Sequence, residues 1–248
     1  MADIPEGLWL CANPRLRQFD RPLFDLLSQD IQLRCWHYSQ TADEPCSLEI
    51  ALLLLHDYLK QQPRPIHLIG HGLSGIVGLL YSQRYPEYVR SLTLLSVGVT
   101  PAVNWHAHYY ALRESLPCRR SIVLNQMVRL LFGPQCPNRT AALMRILAKV
   151  LDMELTPHAL GHRQTIPMRG VEVPLLVCHG ANDMILDANS QSQWQRWFKP
   201  GDRRWMCPEG RHFFHYEYPQ LSYRVLLDFW QEAETLPQAD YALAAAAR

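Results

Sequence analysis

Residues 66–75 read IHLIGHGLSG. A short β-favouring run, Ile66 to Ile69, enters a glycine-dense turn and leaves it as IVGLLYSQRYPE, which has helical spacing. A strand, a sharp turn and a helix in immediate succession form the repeating unit of a parallel sheet covered by helices. Further strand candidates alternate with helical patterns in the same way: 7–12, 32–37, 92–96, 174–179 and 204–207 as strands, 48–60, 75–85 and 220–233 as helices. The expected fold class is therefore α/β, a mostly parallel sheet flanked by helices.

At 248 residues the chain suffices for one large domain of this type. Its hydrophobic share of 48% is that of an ordinary globular protein. A formal net charge of +1 gives no reason to expect nucleic acid or an acidic membrane as a partner. The longest apolar runs, such as ALLLL at 51–55, are too short to span a bilayer. The start, MADIPEG, has neither the basic nor the apolar stretch of a secretory signal. Seven cysteines, at 11, 35, 46, 118, 136, 178 and 207, form no C-x-x-C pair and no metal-ligand cluster, so no metal and no cofactor are expected. Reduced thiols and a cytoplasmic location are the simplest expectation.

One connection is too long for a simple crossover. From Val99 to Gly170 no strand is evident, and two amphipathic segments stand out: 120–132, stopped by Gly133-Pro134, and 139–155, with Asn138 as its N-cap. The expected division is a core of 1–98 and 171–238, a helical lid insertion of 99–170, and a flexible tail at 239–248. The insertion opens with WHAHYYALRE, which offers Trp105, His106, His108, Tyr109 and Tyr110 as pocket-lining side chains above the turn. The same rings serve equally well as packing between insertion and core.

The glycine-dense turn fits the nucleophile-elbow pattern G-x-S-x-G, but with Gly70 first the serine position holds Gly72. Three separated segments, HLIGHGLSG, VPLLVCHGANDMIL and PEGRHFFHYEYP, together resemble the α/β-hydrolase fold family along nearly the whole chain. Their order is the family's order of nucleophile, acid and histidine. The resemblance implies a sheet shortened at its N-terminal edge and places the acid on Asp183 and the base on His212, with Asp187 and His215 as rivals. A carboxylate accepting the imidazole Nδ1–H leaves Nε2 as the base. It also implies an oxyanion corner made by the backbone N–H groups of Asn13 and Leu73; Pro14 has no N–H to offer. A serine occurs at Ser74, two residues late and about 200° around the helix from the elbow, and reads as a packing residue or helix N-terminal donor.

Glycine at the elbow relieves strain of about 1–3 kcal/mol for a residue with a side chain there. The reading that follows is a pseudoenzyme-like family member, impaired in covalent catalysis, that binds a small apolar or ester-like ligand or a protein partner in a lidded pocket. Two alternatives stay open. One is an enzyme using the His212–Asp183 pair as a general base, in water-mediated hydrolysis, a lyase or a cofactor-free oxygenase. The other is an esterase using the displaced Ser74.

Overall fold

The computed structural model describes residues 5–235 apart from 42, 157, 160–161, 164–165 and 167–168. The tail expected at 239–248 lies outside these residues. Six parallel strands form the main sheet: β1 (Gly7–Cys11), β2 (Leu33–His37), β3 (Ile66–His71), β4 (Val89–Leu95), β7 (Leu175–Gly180) and β8 (Arg203–Cys207). Their spatial order is β2-β1-β3-β4-β7-β8. The chain leaves β1 for one edge and returns on its other side as β3, so the switch in strand order falls between β1 and β3. Parallel sheets put their sites at the carboxyl ends of strands beside such a switch.

Alternation along the strands explains why both sheet faces are covered. Leu8, Leu10, Leu68, Leu94 and Val177 point to one side, where they meet α2 (Leu48–Leu59) and α3 (Leu73–Arg84). Trp9, Ile69, Leu95, Leu176 and Cys178 point to the other, against α1 (Arg17–Leu27) and α9 (Pro219–Thr235). Strands buried on both faces read as continuous apolar runs, which is why their positions were readable.

Between β4 and β7 run three helices, α4 (Trp105–Ser115), α5 (Arg120–Phe132) and α6 (Pro137–Met153). A separate apolar cluster joins them to α1 through Phe19 and to the loops after β7 and β8 through Ile185, Leu186 and Phe213. Short helices α7 (Ala188–Ser192) and α8 (Phe214–Glu217) follow those two loops. Among the described residues no helix is long and apolar enough to cross a membrane, and no cluster of His, Cys, Asp and Glu could hold a metal.

Several expectations need correction. The connection at 99–170 does contain strands: β5 (His158–Ala159) and β6 (His162–Arg163) form a small antiparallel pair. Helix α6 begins at Pro137, after Cys136, and Asn138 lies inside it without capping it; proline at the first turn starts the helix, since its missing N–H has no intrahelical use there. Four helices went unread, the longer α1 and α4 and the short α7 and α8.

Candidate functional site

The elbow forms where β3 passes into α3. Gly72 is the N-cap of α3 with φ 50° and ψ −119°, a region costly for a residue with a side chain. Its two glycine neighbours have a different role. A Cβ on Gly70 would lie 2.7 Å from Gly75 N, and one on Gly75 would lie 2.6 Å from Val97 Cγ2. Those two positions let the turn close against its own helix. A Cβ at Gly72, by contrast, would meet nothing within 4 Å. The elbow conformation is kept, and the space above it is open.

Ser74 is buried, and its Oγ accepts the Ala12 N–H at 2.9 Å. The hydroxyl therefore ties the loop after β1 to the elbow helix as an acceptor, where a packing residue or a helix N-terminal donor was expected. It is not bonded to His212, whose Nε2 has no hydrogen-bond partner among the described residues. Asn13, next in the β1 loop, is fixed by its side chain, which donates to the Leu155 carbonyl at 3.1 Å. Neither the Asn13 nor the Leu73 backbone N–H donates to an acceptor among the described residues. Both amides are thus unengaged among the described residues, one directly after Gly72 and the other directly after Ala12, which Ser74 holds.

His212 and Asp183 meet at 2.9 Å, Nδ1 to Oδ2, and both are buried. The other carboxylate oxygen accepts the Ile185 and Leu186 amides at 2.8 and 3.1 Å. Burial pushes the Asp183 carboxyl up, but His212 and these two amides outweigh it and hold the group below the ordinary carboxylate range. With Nδ1 engaged by a carboxylate, the imidazole presents Nε2 as its free basic atom. Asp187 caps α7 through the Ser190 amide. His215 is buried and pairs with Asp20 of α1 at 2.9 Å, so it neither faces Asp183 nor caps a helix.

Two residues of this site were not read from the sequence. His71 Nε2 donates to the His212 carbonyl at 3.0 Å, and Ser96 Oγ donates to the same oxygen at 2.7 Å. A carbonyl can only accept, so His71 carries its proton on Nε2. Burial first, then the neighbouring His215 and His212, hold the His71 imidazole well below its ordinary range and keep it neutral. Ser96 reaches its partner from a left-handed backbone, φ 51°. Together they fix the backbone that carries the base. The only hint in the sequence was the position of His71 directly before the elbow.

The five aromatic and histidine residues of α4 divide. Trp105 and Tyr109 are buried in the cluster that also holds Leu186 and Phe213. His106 is buried against the Trp105 ring at 3.9 Å, near enough to His71 to disfavour its protonation. His108 is half-buried and bonds the Asn104 carbonyl at 3.2 Å through Nδ1, while Tyr110 is half-buried edge-on to Tyr109.

The model of the Alpha/beta hydrolase family matches residues 7–224. An uncharacterized protein from Synechocystis sp. is 43% identical over 227 residues, covering 92% of this chain and 90% of that one. Another from Nostoc sp. is 39% identical over 231 residues, covering 93% and 92%. Among solved structures, a hydrolase from Pseudomonas aeruginosa superposes with a TM-score of 0.67 at 21% identity, covering 92% of this chain and 91% of that one. A serine hydrolase from Cycloclasticus zankles gives 0.67 at 16%, covering 92% and 90%. A parallel six-stranded sheet, the elbow turn and this family match define one class: the chain belongs to the α/β-hydrolase family.

Proposed function

We propose that this family member has lost acyl-enzyme chemistry and uses the space over Gly72, beneath the lid helices α4–α6, to bind a small, mostly apolar ligand. The observation that carries the reading is the elbow itself: Gly72 holds a nucleophile's backbone with no side chain, and the hydroxyls of Ser74 and Ser96 are engaged, the first with the Ala12 N–H and the second with the His212 carbonyl. Trp105, Tyr109 and Phe213, which share one apolar cluster, are the walls we infer for it, and the Asp183–His212 pair is the polar anchor. Seven unpaired cysteines fit a reducing compartment, so we place the protein in the cytosol.

The test uses an activated ester, a fluorophosphonate and an unreactive medium-chain fatty amide. The unmodified protein gives no acyl burst and no phosphonate adduct, and calorimetry detects saturable binding of the amide. Stoichiometric labelling at Ser74 would overturn the reading in favour of an esterase with a displaced nucleophile. Absence of amide binding removes the ligand half of the proposal. Ser74→Ala leaves labelling unchanged but destabilises by about 1–3 kcal/mol, because the buried Ala12 N–H loses its acceptor; chemical denaturation measures it.

A second reading rests on the unpartnered Nε2 of His212, oriented by Asp183 toward base chemistry. A water or substrate proton in the open space over Gly72 would be its target. In that case any turnover survives Ser74→Ala and disappears in His212→Ala.

A further inference from the structure

Away from the elbow, two thiols sit together at the sheet edge. Trp9 pairs with Cys35 and Cys11 with His37 along the β1–β2 ladder, so Cys11 and Cys35 project from the same sheet face one diagonal step apart. Access to the two sulfurs differs. Cys11 is 1% exposed, whereas Cys35 is half-buried and lines an open cleft of about 460 Å³ between α1 and the sheet. Arg17, Gln18, Asp20 and Phe24 form part of that wall.

We propose that Cys35 and Cys11 are a redox thiol pair, in which the Cys35 sulfur attacks a hydroperoxide in the cleft and Cys11 resolves the product as an internal disulfide. The inference is independent of what the elbow binds.

The interaction with Cys11 lowers the Cys35 thiol from its ordinary value and the Arg17 guanidinium assists, while burial and the Asp20 carboxylate oppose. The same interaction, with burial, pushes the Cys11 thiol far up. Cys11 therefore keeps its proton, and Cys35 takes the thiolate role. The Cys35 sulfur attacks the peroxide, the O–O bond breaks, and the leaving oxygen departs as the alcohol or water, giving Cys35 sulfenic acid. Cys11 sulfur then attacks the Cys35 sulfur. The S–OH bond breaks, and the hydroxyl leaves with the Cys11 proton as water. In sum, two thiols lose two electrons and two hydrogens, and the peroxide is reduced.

Geometry also sets the character of the bond. Diagonal neighbours in a sheet lie about 7–8 Å apart at Cα, slightly beyond the usual reach of a disulfide. Strand β2 is at the edge and, among the described residues, paired only with β1, so it can close that distance. A bond formed by such a shift is readily reduced, which suits a reversible modification in a reducing compartment.

The experiment treats the intact protein with a small excess of hydrogen peroxide under native conditions. Free thiols, counted after denaturation, should fall by two from seven. Non-reducing peptide mapping should link the Cys11 and Cys35 peptides, and dithiothreitol should reverse the link. In Cys11→Ser, dimedone should trap Cys35 as the sulfenic acid. A second measurement needs no variant: limiting iodoacetamide should alkylate Cys35 several-fold faster than Cys46 and Cys118, which are half-buried like it. Oxidation that begins at the exposed Cys136 with no Cys11–Cys35 link, or alkylation of Cys35 no faster than Cys46 and Cys118, would overturn the proposal.

Discussion

Gly72→Ser is expected to convert a protein that a fluorophosphonate leaves unlabelled into one that it labels at the new serine. Three structural conditions for a nucleophile exist without it. The backbone at Gly72 has the elbow's φ of 50°. A Cβ there meets no atom within 4 Å, so the serine enters without displacing anything. The base is held by Asp183 with its Nε2 unpartnered, and the Asn13 and Leu73 amides are unengaged among the described residues. The cost is confined to backbone strain, about 1–3 kcal/mol, or a melting temperature lower by about 2–12 °C for a chain of this size. Removing one oxyanion donor alone costs an established hydrolase about 100–1000-fold, so weak ester turnover is the expected ceiling for a corner never tuned to it. A folded Gly72→Ser protein that resists labelling would show that His212 is not aligned with the elbow, and the base assignment would fall with it.

That prediction depends on how the site was readable. Gly72, Asp183 and His212 each stand in a short ordered segment, strand then turn, so their local pattern carried their positions. The residues that support them do so across long sequence separations. His71 and Ser96 hold the His212 carbonyl from 141 and 116 residues away, and Ser74 reaches Ala12 across 62. No periodicity in the chain encodes such a meeting; it exists only once β1, β3 and β4 lie side by side. The same separation hid the pairing of His215 with Asp20, 195 residues apart.

The two longer unread helices failed for different local reasons. Helix α1 buries Phe19, Asp20, Leu23 and Leu27, near-helical spacing that is interrupted by Pro22 and by an aspartate on the buried face. The aspartate belongs there because His215 meets it. Helix α4 is WHAHYYALRES, whose aromatic residues favour strands; its start is set by Asn104, whose side chain accepts the His106 and Ala107 amides. Strands β3 and β7 posed no such difficulty, being apolar on both faces and bounded by glycine.

A second large effect is expected from acid. His179, on β7, is fully buried, and neither ring nitrogen has a hydrogen-bond partner among the described residues. Burial pushes the imidazole down to about 4; Asp183 opposes this, while Arg204 and His212 reinforce it. In the unfolded chain the same group titrates near 6.5. Between those values the unfolded state binds the proton and the folded state does not, so stability falls as pH falls. At about 1.4 kcal/mol per pH unit, the loss from His179 between pH 7 and pH 5 is about 2 kcal/mol. His71, neutral for the same reason, acts in the same window below 6.5. Asp183 adds its share only further down: its folded value is lowered, so the stability it contributes above the unfolded 3.8 is lost as pH drops through the folded value. His179→Leu keeps the volume of the site and removes the proton acceptor. Urea unfolding of the two proteins at pH 7 and pH 5 should show the variant's loss smaller by about 2 kcal/mol. A variant that loses stability as steeply as the parent would mean that His179 takes up its proton in the folded state, through a partner that the burial argument denies it.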